Sequence, residues 1–150
     1  MFNVSRLCKE SKIMNWKNIQ FGEMEYDEKH ILTFPEGLIG FEENRQFLIV
    51  HDEDSEPFRW LISLNDQELS FPLVELPKNQ AELFGRIFPE ENVTLFAVVS
   101  IKHEIDDSTI NLKSPIVIDS NKRIGRQVVL DDDQLNVRTP LVSFSPVLAE

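Results

Sequence analysis

Cys8 is the only cysteine in the 150-residue chain, so an intrachain disulfide is excluded, and no CxxC or Cys/His cluster accompanies it to suggest structural zinc. A reducing compartment fits that usage. No stretch approaches the roughly 18 consecutive apolar residues of a membrane span. The first fifteen residues also lack the apolar centre of a secretory signal, and the expected location is cytoplasmic. Positive charge is scarce as well, since 15 Lys+Arg against 26 Asp+Glu leave a formal charge of −11. The basic residues are scattered, and the densest run, Lys122 to Arg126, is followed by Asp131, Asp132 and Asp133. Such a field opposes a phosphate backbone and disfavours direct nucleic-acid binding. It favours a basic protein partner, whose encounter rate it raises.

Apolar residues make up 41% of the chain and charged residues 27%, a balance that supports a folded core and, at this length, a single domain. Period-2 alternation recurs between Gly, Pro, Asn and Asp punctuation, the pattern of short β-strands. Strands are expected at 18–26 (with a bend at Gly22), 30–34, 46–50, 58–64, 69–76, 94–101, 109–112 with 116–118, 127–130 and 141–144. Only residues 78–87 carry apolar positions at helical spacing, and Pro89 stops them. The expected fold is all-β with one short helix near 78–87: an antiparallel barrel-like single domain, since closure removes exposed sheet edges, with a sandwich as the alternative. Residues 1–15 show clustered charge without alternation and read as a flexible N-terminal extension, with Met14 as an alternative initiator, before a domain spanning 16–146.

Catalytic patterns are absent from the sequence. His30, His51 and His103 lack ligand spacing and read as solvated side chains. No GxSxG elbow accompanies the serines, and the Gly37 to Gly40 spacing neither opens a helix nor precedes a Lys-Ser or Lys-Thr pair. No enzyme activity, cofactor or metal is expected, a small β-barrel hydrolase being the remote alternative. Two segments carry more apolar character than one buried face requires. Leu95 to Val99 is apolar on both pleat faces, and Phe71 to Val74 is continuously apolar, with Pro72 marking an edge or a bulge because it cannot donate to a ladder. Either both faces are buried or one is kept for a partner. The candidate partner surface is Phe71, Leu73, Phe96 and Val98, rimmed by Asp52, Glu53 and Asp54.

The stretch Ile31-Leu32-Thr33-Phe34-Pro35-Glu36-Gly37-Leu38-Ile39-Gly40-Phe41-Glu42 resembles the signature block of the FliW family of flagellar assembly factors. It is preceded, as in that family, by Phe21-Gly22-Glu23. A second block, Asn111 to Ile118 followed by Gly125 to Leu130, resembles the family's carboxy-terminal half, so the resemblance covers about residues 18–141. In physical terms the first block is a strand ending at Pro35, a Gly-permitted turn, and a second Gly that lets Phe41 pack back onto the barrel. Asn111 and Pro115 read as a bend that switches a strand between neighbours, with Gln127 satisfying backbone groups there. The resemblance implies a partner switch: binding of flagellin in the cytoplasm, and antagonism of CsrA, a basic RNA-binding homodimer that represses flagellin translation. A flagellin-specific chaperone without translational control is the alternative within that resemblance.

Overall fold

The computed structural model describes residues 12–76, 93–131 and 136–141. Alternation starts earlier than expected. β1 (Ile13–Asn18) pairs antiparallel with β2 (Gly22–Asp27) in a two-stranded hairpin, so Ile13 to Asn15 belong to a strand within the stretch assigned to the extension. Gly22 begins β2 instead of bending a single strand. The reversal is made by Asn18, whose buried amide oxygen accepts from the N–H groups of Gln20 and Phe21 at 2.9 and 3.0 Å. Such local side-chain bonding is what favours Asn in turns.

The remaining strands are β3 (Leu32–Thr33), β4 (Gln46–His51), β5 (Arg59–Ser63), β6 (Ser70–Glu75), β7 (Val93–Ser100), β8 (Thr109–Asp119), β9 (Ile124–Gln127) and β10 (Thr139–Pro140). Their order is β10-β8-β7-β6-β5-β4-β3-β9, and β9 also pairs with β8. β3 to β9 therefore close on themselves, with β10 added beside the first residues of β8. The barrel-like expectation holds, with one refinement: β3 and β9 meet in parallel at Thr33↔Ile124. The helix expected at 78–87, residues 1–11 of the expected extension and the part of strand 141–144 after Leu141 lie outside the described residues.

β6, β7 and β8 feed two apolar clusters by turns. Phe34, Phe47, Leu61, Leu73, Phe96, Ile116 and their neighbours form one. Because β3 through β8 all contribute to it, it fills the interior of the ring. Val74, Ala97, Val99, Ile110, Val117, Leu130 and Leu141 belong to the other, with Phe58. The two-faced apolarity of β7 is thus burial on both sides: Phe96 and Val98 face the interior, while Ala97 and Val99 face the second cluster.

Pro72 lies in an interior strand, which corrects the edge reading. The Ser63 N–H donates to the Leu69 carbonyl at 3.1 Å, so by antiparallel alternation Pro72, opposite Trp60, turns its nitrogen away from β5. It faces β7, and the β6–β7 ladder ends one residue short of it, at Leu73↔Val98. The proline ends a pairing where its missing N–H would otherwise be needed.

Along one edge β8 changes neighbours as expected, from β10 at Thr109 and Ile110 to β9 at Ile116–Asp119, while against β7 its register shifts. Opposite Phe96 stands Ile116, but opposite Val98 stands Asn111. The intervening residues bulge, with the Asn111 Oδ1 accepting from the Lys113 and Ser114 N–H groups at 3.0 and 3.1 Å.

Candidate functional site

Phe71, Leu73, Phe96 and Val98 do share one face, and it is the inward one. Leu73 is 0% exposed and Phe96 6%, so neither side chain presents a surface. Phe71 and Val98 are half-buried at the border of that cluster. Asp52, Glu53 and Asp54 occupy the β4–β5 connection beyond the His51↔Arg59 pair, whereas Phe71 stands opposite Leu61, two residues farther along. The acids and the aromatic ring are therefore at different levels of the barrel.

Among the described residues the ring that does reach solvent is Phe41, 40% exposed, and sequence reasoning left it out of the candidate surface. It packs edge-on against Phe71 at a centroid distance of 5.1 Å, Phe71 tilts against Phe47 at 6.4 Å, and Phe47 meets Phe34 at 5.1 Å. The signature stretch supplies both ends of this four-ring run, from the fully buried Phe34 to the exposed Phe41. Edge-to-face pairs of this kind add about 0.5–1.5 kcal/mol beyond their area.

On the other side of the same loop lies a groove of about 550 Å³ between residues 35–42 and β9. Two glycines make it possible. Gly37 adopts φ +68°, and a Cβ there would stand 2.6 Å from the Glu42 Cα. At Gly125 a Cβ would stand 2.3 Å from the Phe34 Cζ, so the backbone of β9 lies directly against that ring. The groove is held by side chains: the Ile39 N–H donates to the Gln127 Oε1 at 2.9 Å, the Gln127 Nε2 donates to the Ser114 carbonyl at 3.1 Å, and the Gly40 N–H donates to the Glu42 carboxylate at 2.9 Å. Gln127 thus serves backbone groups as expected, on two separate elements. Ile39 (55% exposed) and Ile124 (40% exposed) form apolar walls, and the charged lining is Glu36, Glu42 and Arg126. The signal for this groove in the sequence was the pair of consecutive apolar residues Leu38-Ile39, of which a two-residue alternation can bury only one.

The histidines stay apart. His30 ends a short 3-10 turn, Glu28–His30, and His103 is exposed after β7. His51 hydrogen-bonds the Glu56 carboxylate, which also faces the Arg59 guanidinium at 3.5 Å. That arrangement holds the Glu56 carboxyl below its ordinary value, chiefly through the His51 hydrogen bond. Among the described residues no three His, Cys, Asp or Glu side chains are grouped to hold a metal ion, and no helix is long and apolar enough to cross a membrane.

The described residues define a small closed β-barrel with an aromatic run reaching its surface and an apolar-walled groove beside it. The FliW protein family profile matches residues 15–141. The chain is 33% identical over 139 residues to the flagellar assembly factor FliW of Thermosipho africanus, covering 85% of this chain and 96% of that protein. It is 34% identical over 140 residues to the FliW of Caldanaerobacter subterraneus, covering 86% and 92%. A crystal structure of the flagellar assembly factor FliW superposes with a TM-score of 0.72 at 32% identity, covering 85% of this chain and 96% of that one. The chain belongs to the FliW family of flagellar assembly factors, which are not enzymes.

Proposed function

We propose that this chain binds flagellin in the cytoplasm and antagonises the translational regulator CsrA, coupling flagellin synthesis to flagellar assembly. Membership of the flagellar assembly factor family carries the reading. The charge of −11 supports it, because an acidic protein is steered toward a basic RNA-binding partner and away from RNA itself. The partner surface in this reading centres on Phe71 and Val98 at the border of the interior cluster, with Leu73 and Phe96 beneath them as support and Phe41 above. Asp52, Glu53 and Asp54 act at longer range, by attraction.

The test is a pull-down of purified flagellin and CsrA at two salt concentrations, using wild type, Phe71→Ala, Val98→Asp and Phe41→Ser, with each variant's fold checked by circular dichroism. Retention of both partners, CsrA more salt-sensitive than flagellin, and a loss of about tenfold on truncating a central ring are expected. Retention of flagellin alone leaves a chaperone without translational control. If folded variants bind both partners as wild type does, the surface assignment is wrong.

A further inference from the structure

We propose that the groove between residues 35–42 and β9 is a docking site for an extended, basic and apolar segment of a protein partner, distinct from the aromatic run. At about 550 Å³ it falls within the range of ligand-binding clefts, roughly 300–1,000 Å³. Its shape exists before any ligand arrives, because Gln127 and Glu42 hold the loop through backbone hydrogen bonds, and a preorganised site avoids an ordering cost on binding.

The chemistry of the lining selects the occupant. The backbone donors of Ile39 and Gly40 are already taken by Gln127 and Glu42, so the groove offers few of the placed polar groups that orient a small molecule. What it offers is apolar contact from Ile39 and Ile124, with Glu36 and Glu42 outnumbering Arg126 among the charged groups. Apolar side chains interleaved with lysine or arginine satisfy both requirements. A second copy of the chain does not, since each copy carries −11 and a symmetric contact here would bring the Glu36 and Glu42 pairs together.

The experiment uses the full-length, ¹⁵N-labelled chain and two synthetic probes, the hexapeptide acetyl-KIKVKL-amide and its counterpart with glutamate for every lysine. The basic peptide is expected to move the amide signals of Ile39, Ile124 and Gln127 in a saturable way. Ile39→Ser and Ile124→Ser, changes at exposed positions with the fold of each checked by circular dichroism, are expected to weaken binding about tenfold each. The acidic peptide should bind at least tenfold more weakly. Equal binding of the two peptides, shifts centred on Phe41 and Phe71, or unaltered affinity in both serine variants would overturn the assignment. So would concentration-dependent shifts of Ile39 and Ile124 in the absence of peptide, which would make the occupant a second copy. Neither probe is flagellin or CsrA, so the result stands or falls separately from the partners proposed above.

Discussion

Replacing Gly125 by alanine tests how the barrel closes. The added methyl would lie 2.3 Å from the Phe34 Cζ and 2.6 and 2.7 Å from its two Cε atoms, when ordinary contact begins near 3.4 Å. An exposed phenylalanine would swing aside. Phe34 has no exposure at all, and Phe47 packs against it in a T-shaped pair with centroids 5.1 Å apart. Close packing leaves the ring no vacant volume to enter, so either β9 moves outward or Phe34 leaves its rotamer; overpacking of this kind costs about 1–3 kcal/mol. The β3–β9 contact is a single pair, Thr33↔Ile124, and outward movement of β9 would break it first. Taking 2 kcal/mol as the middle of the range, thermal unfolding of a chain this size should fall by roughly 4–8 °C. Urea denaturation of wild type, Gly125→Ala, Phe34→Leu and the double variant supplies the check. The smaller, more flexible leucine makes room for the methyl, so the double variant should be more stable than the sum of the single losses by about 1 kcal/mol or more. Strict additivity, or a Gly125→Ala cost below about 0.5 kcal/mol, would refute the claim that this contact limits how closely the barrel can close.

Gln127→Met keeps the length of the side chain and removes both its hydrogen bonds, leaving the Ile39 N–H and the Ser114 carbonyl without it. A loss of about 1–3 kcal/mol is expected, with faster hydrogen exchange at Ile39; unchanged exchange there would show that the loop is held by other contacts. Glu56 provides a pH prediction. Its folded carboxyl lies below the ordinary value of 4.5, with the His51 hydrogen bond as the largest cause, so its contribution to stability is present above that value and is lost as pH falls through the folded one. His51→Ala should therefore raise the Glu56 titration midpoint, read by carboxyl NMR, and flatten the acid side of the stability curve. An unmoved midpoint would mean that His51 is not what depresses it.

Strand existence was legible because period-2 alternation is a local property, and β4, β5 and β6 lie within a residue or two of their expected bounds. Pairing was not. Pro72 was assigned to an edge because sequence shows that a donor is missing without showing which neighbour it faces. The hairpin start at Ile13 was missed because Ile13 to Asn15 adjoin a charged stretch and were read with it as extension, although Met14 alternates with Trp16. The burial of Leu73 and Phe96 was hidden for a related reason. Phe71, Leu73, Phe96 and Val98 share one face by alternation and antiparallel register, but which face points inward depends on ring closure by Thr33↔Ile124, a contact between residues 91 positions apart. Gln127 was legible as a backbone partner by its chemistry, while its reach to Ile39, 88 residues away, was not.

Closure also explains why one stretch can be scaffold and surface at once. β3 contributes only two residues and β9 four, too little paired strand to complete the wall, so residues 34–42 finish the interior with Phe34 and Leu38, both buried. A chain that turns Leu38 inward and reverses immediately, with the Phe41 N–H donating to the Leu38 carbonyl at 2.8 Å, must turn Ile39 outward. The outward position is thus forced by geometry, but its side chain is not. Serine or lysine would serve the turn equally well, and a solvated residue at position 124 would leave the Thr33 pairing intact. An isoleucine on each side of a rigid groove, 55% and 40% exposed, retains apolar area in water that the barrel does not use. Isolated exposed apolar residues are common on protein surfaces, and these two would need no explanation if they stood alone. Their placement on opposite walls of one preformed cleft, with the polar groups between them already satisfied, is the feature that barrel closure leaves unaccounted for and that a docked segment would explain.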